Sequence, residues 1–268
     1  MMKKAILLGT TGVAVALAML AFGFVAGNPQ TAKADTALLA QAVSGDTKID
    51  RAEVEGIIRD YLLKNPEVLL EVQDALEAKQ KEEQRIASLG VIENAKDQIF
   101  NSAFDGVVGN PNGKVTIVEF YDYNCGFCKR AIEDMRALTK ADPDLRFVLK
   151  EFPILGPDSQ KASVVSMAFH LMYPEKYGEF HNALLGGQGR ATEATAIKVA
   201  LSLGADEAKL REKMKDPSIA EAISKTLDLA NKLAITGTPS YVVGNEVVFG
   251  ALGKEVLAKK IEAAKAAL

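Results

Sequence analysis

The sequence predicts an α/β fold in which a block of helices interrupts a sheet, with a helical pair ahead of it. Three observations carry that prediction. The runs "KVTIVEFYDY" and "DLRFVLKEF", rich in β-branched and aromatic residues, flank an amphipathic segment with Ile132, Met135 and Leu138 in helical register, which makes a βαβ unit. From Ser159 to Ala234 the pattern is almost wholly helical, about four helices, with breaks at Pro174, Gly186 to Gly189, Gly204 and Asp216-Pro217. Strands return in "SYVVG" and "EVVFG", a hairpin around Asn245, and "KEVLAKKIEAAKAAL" closes the chain as an amphipathic helix.

Taken in order, the chain opens with Lys3 and Lys4 ahead of an apolar run from Ala5 to Ala26, followed by small residues at Ala32 and Ala34. This reads as an export signal over residues 1–34, cut after Ala34 or at a second small-residue site after Ala42. The run also reaches the length of about 20 residues that spans a bilayer, so an uncleaved membrane anchor is the alternative. Either way the remainder is expected in the periplasm, where disulfides form and persist. Residues 35–109 read as a linker and N-terminal helices. Val54, Ile57, Ile58, Tyr61 and Leu62 form a helical stripe with Asp50 as its N-cap. Pro66 breaks it and suits the first turn of a second helix, whose stripe of Leu69, Val72 and Leu76 runs into "EAKQKEEQR". An amphipathic pair of this size buries little by itself, so residues 49–88 are expected either to pack on the main domain or to form a homo-oligomer. A short helix is expected over Ile92 to Phe100, then a turn in "GVVGNPNG".

Composition narrows the function. Apolar residues make up 48% and charged residues 25% of a 268-residue chain, enough for a sizeable core. A net charge of −3, with Lys and Arg spread among the acids, argues against nucleic acid as a partner.

Cys125 and Cys128, in "NCGFC", are the only cysteines. They lie where a strand gives way to a helix, so the first sulfur meets unpaired backbone N–H groups and the positive end of the helix dipole. Such cysteines have pKa values of about 3.5 to 7.5, against about 8.5 free, and act as attacking and leaving groups near neutrality. Cys128, one turn further in, can reach that sulfur and resolve a mixed disulfide. Gly126 and Phe127 add neither charge nor a hydrogen-bonding side chain, and so bear on redox tuning. A structural disulfide across two residues would remove little unfolded-chain entropy. A closed zinc site would need His170 and His181, which read as ordinary helix residues. Two soft thiolates suffice for copper(I), so metal carriage competes with electron exchange.

The set "VTIVEFYDYNCGFCKRA", "RFVLKEFPILGPDS" and "ITGTPSYVVGNEVVFGA" resembles the DsbA-like branch of the thioredoxin superfamily over residues 110–268. "IRDYLLKNPEVLLE" ahead of it looks like the ScsC and Com1-type members, some of which oligomerise through that region. The resemblance implies a thioredoxin fold with an inserted helical domain, about residues 159–234, preceded by an N-terminal helical pair. It implies a thiol-disulfide oxidoreductase needing no cofactor, whose partners are client proteins with cysteines and a membrane redox partner, either a reductase or a quinone-linked oxidase. Cys125 and Cys128 would be catalytic. Thr238 and Pro239 match the cis-proline loop that presents backbone to a client peptide. Glu119 matches the buried acid that moves protons at the resolving cysteine. Phe127 stands where strong oxidases carry histidine, which leans the expectation toward a disulfide isomerase or reductase, with a DsbA-type oxidase as the alternative.

Overall fold

A computed structural model describes residues 50–267 of the chain. The predicted signal segment, its cleavage sites and the tail to residue 48 lie outside the described residues. The described residues divide into two units, 50–71 and 72–267.

In the first unit α1 (Arg51–Lys64) starts where expected: Asp50 accepts the Ala52 N–H at 3.1 Å, which satisfies one of the orphan donors of a helix start. It ends at Asn65, whose backbone N–H and Nδ2 both bind the Tyr61 carbonyl at 2.9 Å. Pro66 lies in the turn before α2 (Val68–Asn94), not in its first helical turn as the sequence suggested. α1 buries none of its residues; Ile57, Ile58, Tyr61 and Leu63 are exposed.

The second unit contains the rest of α2, on which Val72, Leu76 and Ile86 are exposed while Ser88 and Ile92 are buried. The short helix expected over Ile92 to Phe100 is in fact the end of α2 and a separate α3 (Lys96–Phe100), divided at Ala95, whose φ of −117° and ψ of 22° leave the helical region. Next come β1 (Gly106–Gly109), β2 (Val115–Tyr121), α4 (Gly126–Ala141) and β3 (Leu145–Glu151). β1 falls in a stretch the sequence marked as a turn. It exists because it pairs antiparallel with β3, and its glycine is steric: a Cβ on Gly106 would sit 1.7 Å from the Tyr177 ring.

The helical insertion runs from α5 (Pro157–Met172) through α6 (Tyr177–Leu185), α7 (Glu193–Ser202) and α8 (Glu207–Lys213) to α9 (Pro217–Lys232), with a 3₁₀ turn at Pro174–Lys176. These are five helices where about four were expected, broken at the predicted places. The chain ends with the hairpin β4 (Ser240–Val243) and β5 (Glu246–Phe249), then α10 (Lys254–Ala266). The sheet order is β1-β3-β2-β4-β5; β2 and β3 are parallel and every other pair antiparallel. This is the thioredoxin fold with a helical insertion, as predicted.

Strand alternation sorts the core into two faces. Ile117 and Tyr121 of β2, Phe147 and Leu149 of β3, and Tyr241 of β4 pack with α4 and the insertion. Val118, Phe120, Val148 and Val242 pack with Ile92, Ile99 and Leu229 on the other side. Glu119 and Glu151 share the odd-numbered parity of the first face, whereas Lys150 belongs to the second.

Candidate thiol site

Cys125 is the N-cap of α4, with extended backbone (φ −78°, ψ 116°), so its side chain lies over the first turn. Its Sγ accepts the Cys128 N–H at 3.4 Å and, as a thiol, donates to the Thr238 carbonyl at 3.2 Å. The Thr238-Pro239 peptide is cis and immediately precedes β4. Residues more than a hundred positions apart in sequence therefore meet at one sulfur.

The two cysteines are opposite in acidity. Cys125 is pulled down to about 5, first by the hydrogen bond from Cys128, against burial, and then by the Thr238 side chain and the N–H groups of Cys128 and Phe127. Cys128 is pushed well above the ordinary thiol range by burial, by the Cys125 bond and by the charge of Glu119; the Asp122 backbone offsets part of this. A negative charge on the first sulfur is thus favoured by the same contact that keeps the second protonated.

Glu119 is 3% exposed, and its Oε1 has no hydrogen-bond partner among the described residues. Burial raises its pKa to about 8, with smaller contributions from Cys125 and Asp134. β2 carries it on the face that α4 covers, near enough to both thiols for their charges to interact. Gly126 faces open space, and Phe127 is 57% exposed with the Arg130 guanidinium 4.3 Å over its ring. Gly126 has no side chain and that of Phe127 has no hydrogen-bonding group, so of these two residues only the Phe127 backbone N–H acts on the thiol. His170 and His181 sit in the insertion against aromatic rings, and burial lowers both pKa values, that of His181 to about 3.

Three residues escaped the sequence reading. Asp122, 1% exposed, accepts the Asn124 N–H and the Ser159 hydroxyl on Oδ1, both at 2.7 Å, and the Leu155 N–H on Oδ2 at 2.9 Å. Asn124 exchanges two bonds with the Ala191 backbone, at 2.8 and 2.9 Å. Lys129 donates to the carbonyls of Gly187 and Gly189. Asp and Asn just ahead of the cysteine in "YDYNC" are Asx-turn formers, which was the signal available; their long-range partners left none.

Residues 116–262 match the DsbA-like thioredoxin domain, and residues 50–83 match the N-terminal domain of the copper resistance protein ScsC. The chain belongs to the DsbA-like thioredoxin-domain family, with an ScsC-type N-terminal segment. A thioredoxin-like oxidoreductase from Silicibacter pomeroyi is 38% identical and superposes with a TM-score of 0.61 over 64% of this chain and 98% of that one. Proteus mirabilis ScsC, in a transitional conformation, is 28% identical with a TM-score of 0.62, covering 81% of this chain and 97% of that one. Among curated relatives, Na(+)/H(+) antiporter NhaA 1 of Salinispora arenicola is 28% identical over 162 residues, 60% of this chain but 24% of that protein. The chain thus spans about a quarter of that relative's length.

Proposed function

We propose that this protein is exported to the periplasm and exchanges disulfides with client proteins through Cys125 and Cys128, acting as an isomerase or reductase. The observation that carries the reading is the Cys125 sulfur at a helix start, beneath the Thr238 carbonyl, with its pKa drawn to about 5 while Cys128 is held protonated. In the reducing direction the Cys125 thiolate attacks a client disulfide; one client sulfur leaves as thiolate and a mixed disulfide forms. Cys128 then loses its proton and attacks the Cys125 sulfur, and two electrons have passed to the client. Glu119, with a pKa near 8, is suited to take that proton and return it in the opposite direction. Thr238 and Pro239 hold the client peptide beside the sulfur. In isomerisation a second client thiol, not Cys128, attacks the mixed disulfide.

Direction depends on how strongly the reduced form is stabilised. Gly126 and Phe127 leave that to backbone, Cys128 and Thr238 alone, which supports a weaker oxidant than a site with a histidine there. The isomerase role requires a membrane reductase; a DsbA-type oxidase would instead need a quinone-linked membrane oxidase. The ScsC-type N-terminal match and the exposed apolar side chains on α1 and α2 support a homo-oligomer through residues 49–88. The same match, to a copper resistance protein, favours one second reading, copper(I) carriage by the two thiolates.

The deciding experiment uses mature protein with insulin and scrambled ribonuclease. Wild type reduces and refolds them, Cys125→Ser abolishes both activities, and Cys128→Ser accumulates mixed disulfide. Unchanged activity in Cys125→Ser sinks the mechanism, and tight stoichiometric copper(I) binding without turnover selects the carrier. Equilibration of the pair against glutathione sets the direction: a potential well above that of the compartment marks an oxidase.

A further inference from the structure

The turn that presents Cys125 is gripped from two sides by the insertion and the loop that leads into it. On one side Asp122 holds the Leu155 N–H and the Ser159 hydroxyl, so the loop after β3 and the first turn of α5 are tied to the residue three before the cysteine. That loop exposes Ile154 and Leu155. On the other side Asn124, adjacent to the cysteine, pairs with both backbone groups of Ala191 and also donates to Ser159 at 3.0 Å. Ser159 thus bridges the two grips. Asp122 closes the arrangement by accepting the Cys125 N–H on its backbone carbonyl at 3.0 Å. Phe127, two residues past the thiol, is exposed as well.

We propose that Asp122, Asn124 and Ser159 form a polar clasp that fixes two client-facing walls, residues 153–156 and 187–191, to the turn that carries Cys125, making them positioning residues for client proteins. The proposal rests on the exchange reading above. A buried carboxylate with both oxygens occupied, and an amide that spends its oxygen and its nitrogen on one partner residue, are rigid connectors with little freedom to re-pair. The walls therefore keep a fixed distance from the sulfur. An extended client chain crossing it meets apolar Leu155 and Ile154 on one side and the Gly187–Ala191 loop on the other. Releasing a wall leaves the sulfur's own contacts, to Cys128 and Thr238, in place; what is lost is the ordered surface for the client.

Asn124→Ala removes three bonds to Ala191 and Ser159, and Ser159→Ala removes two of the clasp's contacts. Each is compared with wild type in full mature protein, using an insulin-reduction or peptide-disulfide assay, with thermal melts to verify folding. The expected result is a KM for client higher by about tenfold in Asn124→Ala, the worth of one to two ordinary hydrogen bonds, with kcat changed less than twofold. Asn124→Asp, which keeps the acceptor for the Ala191 N–H, falls between. Hydrogen exchange supplies a readout independent of chemistry: amides in 187–191 speed up in Asn124→Ala while those of α4 do not. Equal falls in kcat and rises in KM, or unchanged exchange in both walls, overturn the clasp. If wild type turns over no disulfide at all, the exchange reading and the client role fall together, while faster exchange confined to the walls would still sustain the clasp as a positional element.

Discussion

The two faces of the sheet treat buried charge in opposite ways. On the face away from the cysteines, Lys150 is 2% exposed and its ammonium binds the Asp105 carboxylate and the Gln98 carbonyl. On the cysteine face Glu119 and Glu151 are buried with no cation bonded to them among the described residues; each has one oxygen lacking a partner there, and Glu151 accepts hydroxyls on the other, Ser163 at 2.7 Å. Burial lifts Glu151 to about 7 and Glu119 to about 8, whereas Asp105, equally buried but beside Lys150 and Arg146, is lifted to about 6. A paired charge holds structure; an unpaired acid that titrates near neutrality can trade protons. One face pairs its buried charge, and the other leaves two buried acids without a cation on the side that carries the thiols.

The largest test breaks the paired side. Lys150→Met should lose about 3–5 kcal/mol in urea denaturation, because Asp105 is left buried and alone, and adding Asp105→Leu should restore most of it. If the single variant loses under 1 kcal/mol, the pair is not structural.

The next test concerns the unpaired side. Glu119 and Glu151 have folded pKa values above the unfolded carboxylate value of about 4.3. Their contribution is therefore whole below that pH and is lost as pH rises toward the folded values, since the unfolded chain releases its protons first. Between pH 4.5 and 7 wild type should lose about 3 kcal/mol relative to Glu119→Gln, and Glu151→Gln should recover a similar or smaller amount. Parallel stability–pH curves would refute unpaired burial.

Smaller still, and on the thiol itself, the Cys125 alkylation rate should titrate with a midpoint near pH 5. Cys125 is depressed, so the stability it adds to the reduced protein is full above the free-thiol value and is lost as pH falls through 5. Thr238→Val keeps the backbone carbonyl and removes only the side-chain hydroxyl, and should move that midpoint up by under about one unit, since the Thr238 side chain is a lesser cause than the Cys128 bond. A midpoint near 8.5 in wild type would remove the basis for calling Cys125 an activated thiol.

Much of this was legible in sequence where the signal is local or periodic. The alternation in "TIVEFY" places Glu119 with Ile117 and Tyr121, and a cysteine pair at a strand-to-helix step announces its own chemistry. β1 was not legible, because four residues bounded by glycine carry no period; their strand is imposed by β3, and Gly106 is demanded by Tyr177. The same holds for the helical pair. α4 and α1 both repeat apolar residues at helical spacing, yet Ile132 and Met135 are buried whereas Ile57 and Ile58 are exposed. Periodicity specifies a face, not the surface that receives it. Asp122 and Asn124 were visible as turn formers, but Leu155, Ser159 and Ala191 are 33, 37 and 67 residues away from them, a separation no local pattern spans.

Gly126 is the first helical residue after the Cys125 cap, and a Cβ added there touches no atom within 4 Å. Its backbone is not in the left-handed region, so no glycine-only conformation defends the position. A side chain can be added beside the thiol without repacking anything: proline would stiffen the helix start, and a cation would deepen thiolate stabilisation. For the exchange chemistry proposed above, the driving force is therefore open to adjustment at a residue the packing does not use, so the scaffold and its potential can vary independently.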